Sequence, residues 1–384
     1  MEDDAFDDNS SSFANHDQNY SYYDYYYDDG LITNYSLVNC EATVDSKANL
    51  AIIPTFYWLV FLFGVLGNGL VVWSTLHLKQ KKRNTDLYIV SLAVADLVFV
   101  VTLPLWSIYT AIGYHWPFGG LLCTACRFII SLNMYASVLC LVILSLDRYV
   151  AVVHSFKAQR FRNKTMARRC IAGIWTVSVI LSFPTIVLTT TKTTPDDNEM
   201  VHCTVSYDSV SSVLEDHAKL DGSLGLFVTF TSFLLPLGAM AFCYICIFKK
   251  IHEHFTVRNE VEKRRKLLRT IIVLLLAFFV CWFPFHLVKI VRSLAMLNAI
   301  EYTCGLSTFI NQSLNYFVCL GYLNSCLNPI LYACVDDKFR KLLAALTRCE
   351  SLKTLVQTQE TSAVSQSRDD PSPDRPTKTL VEHI

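Results

Sequence analysis

The chain has 384 residues, 52% of them hydrophobic and 17% charged, where soluble domains carry about 25% charged residues. That deficit argues against a soluble globular protein and for a surface that largely faces lipid. Basic and acidic totals are equal at 33 each, so net charge selects no partner and gives no reason to expect nucleic acid.

Residues 1–50 read as an extracellular, acidic, glycosylated tail. They hold Asp3, Asp4, Asp7, Asp8, Asp17, Asp24, Asp28, Asp29 and Asp45 against Lys47 alone, and bury too little apolar surface to fold independently. No basic start precedes an apolar core, so the segment is not a cleaved leader and the first helix is expected to direct its own insertion. Tyr20, Tyr22, Tyr23, Tyr25, Tyr26 and Tyr27 alternate with acids, a setting expected to favour tyrosine sulfation. Asn9, Asn19 and Asn34 stand in glycosylation sequons.

Seven apolar stretches of bilayer length follow, at approximately 51–77, 86–110, 120–153, 168–190, 224–250, 266–295 and 307–334. The fold class predicted is an all-α membrane protein, a seven-transmembrane bundle over 51–335. Lys79, Lys81, Lys82 and Arg83 follow the first stretch, Lys157, Arg160 and Arg162 the third, and Lys263, Arg264, Arg265 and Lys266 lie between the fifth and sixth. The alternate connections carry Asp196, Asp197, Glu199 and Asp208 instead. Basic loops face the cytoplasm, which places the amino terminus outside and the carboxyl terminus inside a plasma-membrane protein. Residues 336–349 form an amphipathic pattern with Phe339, Leu342, Leu343 and Leu346 on one face, a helix lying along the membrane. Cys349 behind it is a palmitoylation candidate, and 350–384 is expected to be disordered.

Most of the 14 cysteines sit in apolar runs and read as packing residues. Cys40, Cys203 and Cys304 lie outside such runs and Cys123 at the start of one, which makes these four the bridging candidates. Polar groups inside spans are costly and usually functional. Asp96, Asn68, Asn133, Ser137, Asn324, Ser325 and Asn328 form such a set, either as interhelical glue or as a cluster of oxygens suited to Na⁺; spacing leaves both open. Asp147-Arg148-Tyr149 ends the third span as a snorkelling anchor or as a switch in which Asp147 holds Arg148 in one state. Pro104, Pro184, Pro236, Pro284 and Pro329 are expected to interrupt five spans.

Asn68 in Gly-Asn, Leu92-Ala93 with Asp96, Asp147-Arg148-Tyr149, Trp175, Cys281-Trp282-Phe283-Pro284 and Asn328-Pro329-Ile330-Leu331-Tyr332 occur in that order, one set per span. In this the chain resembles the rhodopsin-like (class A) G-protein-coupled receptors over roughly 50–350. Thr102-Leu103-Pro104-Leu105-Trp106 and Trp116-Pro117-Phe118-Gly119 are similar to the peptide-receptor branch. Asn133-Met134-Tyr135-Ala136-Ser137-Val138 and Cys281 to Lys289 look most like apelin receptors. The chain departs from these at Gly113 and His115, where they carry acids, and at Thr189, where they carry an arginine. A divergent apelin-type receptor and a neighbour with another peptide ligand both fit.

The resemblance implies roles residue by residue. Cys123 would bridge Cys203, and Cys40 would bridge Cys304. Trp106, Tyr135, His286, Lys289 and Asp208 would meet ligand, and Asp24, Asp28 and Asp29 of the tail would attract a basic peptide. Asp147, Arg148, Tyr149, Tyr244, Phe278, Trp282, Pro284, Asn328, Pro329 and Tyr332 would form the activation switch. Asp96, Asn133, Ser137, Asn324, Ser325 and Asn328 would match a sodium site, the one cofactor suggested. Partners implied are a heterotrimeric G protein of the inhibitory class, arrestin, receptor kinases and membrane lipid. Among other functions, a transporter is disfavoured by the lack of an internal repeat, and a hydrolase by the absence of His-Glu-x-x-His and Gly-x-Ser-x-Gly, so no enzyme is expected. Angiotensin- or chemokine-type receptors and a non-signalling scavenger remain alternatives within the resemblance.

Overall fold

The computed structural model describes residues 46–77, 84–154, 163–193, 200–211, 213–254 and 258–335. The acidic tail with Asn9, Asn19, Asn34, Asp24, Asp28, Asp29 and Cys40, and the region 336–384 with its expected amphipathic helix and Cys349, lie outside them.

Nine α-helices and one hairpin make up the described chain: α1 (Ser46–His77), α2 (Asn84–Val100), α3 (Leu103–Ala111), α4 (Gly119–Val153), α5 (Lys164–Leu188), β1 (Thr189–Thr193), β2 (Val201–Val205), α6 (Leu214–Thr229), α7 (Leu235–His254), α8 (Arg258–Met296) and α9 (Cys304–Val335). Among the described residues six spans are long and apolar enough to cross a membrane, with α2 and α3 sharing one and α6 and α7 another. The seventh, α9, is equally long but is interrupted by Asn311, Gln312, Asn315, Asn324 and Asn328. α1 packs on α2, α3 and α9, α4 on α2, α5 and α7, and α8 on α6 and α9, so the bundle closes on itself with α4 through its middle.

The burial pattern is that of a protein in lipid. Leu66 and Phe248 are 70% and 73% exposed on helix surfaces, whereas Asp96 and Asn68 are fully buried. Without water outside the bundle, buried polar groups find their partners within the protein, many of them on neighbouring helices. Asn68 Nδ2 donates to the carbonyls of Gly64 and Ser325, at 3.0 and 2.8 Å, tying α1 to α9. Trp175 Nε1 donates to Ser91 Oγ at 3.2 Å, tying α5 to α2.

Three features differ from the sequence expectation. The fifth span begins at the helix start Leu214 rather than near 224, because its first turns carry charge that a hydropathy reading assigns to a loop. The prolines do not all interrupt: helix continues through Pro184, Pro284 and Pro329, and through Pro54 in α1. Real breaks occur before Pro104 and Pro236. Pro104 cannot donate to the carbonyl one turn back, and the chain tightens so that both the amide and the hydroxyl of Thr102 donate to the Phe99 carbonyl, at 2.9 and 2.8 Å. Before Pro236 the helix instead widens into a π turn, Phe230–Leu234, with the Leu235 amide reaching back to the Phe230 carbonyl. The β1–β2 hairpin, antiparallel with Thr191 opposite Cys203, was not legible in the sequence.

Candidate functional site

Cys203 on β2 is disulfide-bonded to Cys123 in the first turn of α4. That bond draws the hairpin over one end of the bundle and roofs a cavity of about 290 Å³. Cys304 is also disulfide-bonded; Cys40, the partner the resemblance implies, lies outside the described residues. The cavity is bounded by α3, α4, α5, β2, α6, α8 and α9. Apolar side chains form most of the wall, among them Trp106, Ile130, Phe285 and Tyr322.

Of the expected ligand contacts, Trp106 and Lys289 line the cavity. Trp106 is wedged beside Tyr109 and Trp116, with ring centroids 5.8 and 5.1 Å away, and Lys289 Nζ lies 5.7 Å from the Phe285 ring. The other three fall outside the lining. His286 is buried, stacked 4.7 Å from Phe233 with Nδ1 3.3 Å from Thr229 Oγ1; it occupies the packing between α8 and the fifth span. Tyr135 is buried with its hydroxyl 3.1 Å from Thr231 Oγ1. Asp208 faces outward in an ion pair with Lys192 at 2.9 Å, and the hydrogen bond from that ammonium holds its carboxyl below the usual carboxylate range.

Sequence reasoning missed four polar groups of the cavity: Arg127, Tyr207, Asp221 and Arg292. Asp221 on α6 accepts from Tyr207 Oη at 3.0 Å and pairs with Arg292 on α8 at 3.2 Å. The helices meet closely beside this pair, since a Cβ on Gly222 would lie 2.9 Å from the Ser293 carbonyl oxygen. Arg127 Nη2 donates to the Cys203 carbonyl at 2.9 Å. The signal available was charge: Arg127 and Arg292 fall inside the apolar stretches 120–153 and 266–295 and Asp221 just before 224–250, positions that read equally as interface anchors.

Below the cavity, Trp282 lies against α9 at Gly321, where a Cβ would come within 2.9 Å of the indole. Phe278 beneath it is buried, 6.0 Å from Phe233. Deeper still, Asp96 accepts from Asn328 Nδ2 at 2.9 Å and from Ser137 Oγ at 3.4 Å; Asn133, Asn324 and Ser325 are buried alongside. The Asn133 amide nitrogen donates to Asp96 at 3.2 Å, to the Ala95 carbonyl at 3.1 Å and to Ser137 Oγ at 3.0 Å. One carboxylate among neutral oxygens is a donor set that fits a hard monovalent ion.

At the far end of the bundle Arg148 lies 3.8 Å from Asp147 and also donates to Thr85 Oγ1, a partner on α2 that only the packing supplies. Tyr244 is 3.4 Å from Ser145 Oγ, and Tyr149 is 3.3 Å from His154 Nε2. Pro284 and Pro329 sit within α8 and α9; the side chain of Tyr332 lies outside the described residues. Aromatic contacts, a polar centre and the Arg148 ion pair thus run in series from the cavity to the opposite end.

Residues 67–332 match the family model of the 7 transmembrane receptor (rhodopsin family). The chain is 40% identical over 326 residues to apelin receptor A of Danio rerio, covering 84% of this chain and 87% of that one. It is 40% identical over 347 residues to apelin receptor B of the same fish, covering 89% and 93%, and 33% identical over 304 residues to type-1 angiotensin II receptor A of Xenopus laevis, covering 79% and 81%. The chain belongs to the rhodopsin family of seven-transmembrane, G-protein-coupled receptors, and is a multi-pass membrane signalling receptor, not an enzyme.

Proposed function

We propose that this receptor takes an extracellular basic peptide of the apelin type at the hairpin end of the bundle and signals to a heterotrimeric G protein at the Arg148 end. The observation that carries the ligand class is the 40% identity to apelin receptors over more than four-fifths of the chain. The region matching the family model also contains every residue that lines the cavity. Orientation follows the basic loops, which put the hairpin and the acidic tail outside the cell. Binding pulls on Trp282, and α8 pivots near Pro284. Arg148 then leaves Asp147 and Thr85 to meet a G protein, by resemblance of the inhibitory class. Sodium held at Asp96, Asn133, Ser137, Asn324, Ser325 and Asn328 opposes that motion. Receptor kinases and arrestin act on Ser351, Thr354, Thr358 and their neighbours in the tail, Cys349 carries an acyl anchor, and anionic lipid meets the basic loops.

The test is G-protein activation by apelin in cells expressing the chain. Arg148→Ala keeps apelin binding within about threefold and lowers activation about tenfold or more, since it removes a group used only in the active state. A response to angiotensin and none to apelin overturns the ligand class; binding without activation in the unmodified chain favours the scavenger alternative.

A further inference from the structure

We infer that Arg127 is the anion-receiving group of the cavity, so that a ligand enters it with an apolar portion bearing a carboxylate. The inference rests on the reading of this cavity as the ligand site, and extends it to the chemistry of the part that goes in.

Three cations line the cavity, Arg127, Lys289 and Arg292, and among the described residues Asp221 is the one carboxylate that faces them. Asp221 is committed: Arg292 and Tyr207 occupy its two oxygens. Lys289 lies over the Phe285 ring. Arg127 is different. No carboxylate pairs with it among the described residues; its Nη2 holds the Cys203 carbonyl, and its Nε is buried with no partner. A guanidinium carries five N–H donors and stays charged at any physiological pH. In an apolar pocket of low effective dielectric, a cation with unused donors attracts an anion strongly, and its planar fork suits a carboxylate in particular. Ile130 and Met134, further along α4, and Tyr322 from α9 line the same cavity, so the carboxylate is best carried on an apolar group.

This resolves an electrostatic conflict in the receptor. The acidic tail draws cationic peptides, whereas the cavity repels them. A ligand that satisfies both is bipolar, leaving its basic stretch near the tail while its anionic part descends to Arg127. The carboxylate belongs either to the peptide's own carboxyl terminus or to an acidic side chain.

Two arms test the inference on the full chain in lipid nanodiscs. In the first, thermal unfolding is followed with 4-phenylbutyrate and with its uncharged amide. The acid is expected to raise the unfolding temperature and the amide not, a discrimination lost in Arg127→Gln and partly kept in Arg127→Lys. Equal shifts with acid and amide, no shift with either, or discrimination that survives in Arg127→Gln overturns the inference. The second arm compares apelin with a free carboxyl terminus and with an amidated one. Loss of about tenfold or more in affinity on amidation, absent in Arg127→Gln, assigns the terminal carboxylate. Amidation without effect, where Arg127→Gln still weakens apelin and the first arm discriminates acid from amide, assigns a side-chain carboxylate. If Arg127 serves only to hold the hairpin through Cys203, the glutamine variant weakens free and amidated apelin equally and the first arm shows no discrimination. Failure of apelin to bind at all removes the apelin-type ligand, while the phenylbutyrate arm still decides Arg127.

Discussion

At the scale of single residues, the deepest part of the receptor is a buried carboxylate among neutral polar groups: Asp96 is fully buried and accepts from Asn328, Ser137 and Asn133. If sodium binds this set in the resting state, as proposed, agonist and sodium oppose one another reciprocally. Replacing a bulky organic cation by sodium at constant ionic strength is expected to weaken agonist affinity about fivefold or more, and Asp96→Asn to abolish that difference. Identical affinities in both salts for the unmodified receptor end the sodium proposal. Gly321 makes a second, steric prediction. Its missing Cβ leaves room for Trp282, so Gly321→Ala overpacks the α8–α9 contact. Overpacking costs about 1–3 kcal/mol, read as a lowered unfolding temperature in nanodiscs. Basal signalling is expected to change with it, because the indole must move.

At the scale of elements, position is set by irregularities more than by regular helix. The π turn before Pro236 inserts an extra residue, and one residue corresponds to about 100° of helix rotation. That rotation decides the face on which α6 presents Asp221, Gly222 and Gly225. The hairpin is tethered by Cys123–Cys203 and trimmed by Lys192–Asp208. The Lys192 hydrogen bond lowers the Asp208 carboxyl, so the pair stabilises the folded hairpin above the unfolded carboxylate value of about 3.9. That contribution is lost as pH falls through the lower folded value. Asp208 is mostly exposed, so the effect is that of a screened surface pair. Protection of the amides of 189–193 and 201–205, exchange being corrected for its intrinsic pH dependence, is expected to fall modestly on acidification in the unmodified protein. Asp208→Asn should show the lower protection already at neutral pH; a hairpin equally protected in both proteins refutes the role.

At the scale of the whole molecule, charge is sorted along the chain. In the sequence the acids gather in the amino-terminal segment and the bases in the loops after the first and third spans, while the cavity wall carries three cations and Asp221. The acidic segment should act on encounter rate more than on dwell time. Removing residues 1–30 while keeping Cys40 is expected to slow association of a basic peptide about tenfold at low ionic strength. The difference should close as salt is raised, with dissociation little changed. Unaltered association kinetics at low salt, at matched surface expression, refute the steering role.

The sequence by itself determined the seven spans, because apolar length is a local property that lipid reads directly, and it determined the order of the family motifs within them. It also narrowed the bridge at Cys123 and Cys203 to a small set of cysteines. Tertiary structure alone decided which polar groups meet. Thr85 reaches Arg148 from another helix, and Asp221 joins Arg292 and Tyr207 across three elements. Arg127, two turns into an apolar run, looks like an anchor until the hairpin folds over it. Conversely, His286 and Asp208, expected from the sequence to meet ligand, stand outside the cavity lining, one stacked on Phe233 and the other paired with Lys192. The physical reason is the same in each case: a span's hydrophobicity is summed along the chain, whereas the value of a charge depends on which helix stands opposite it.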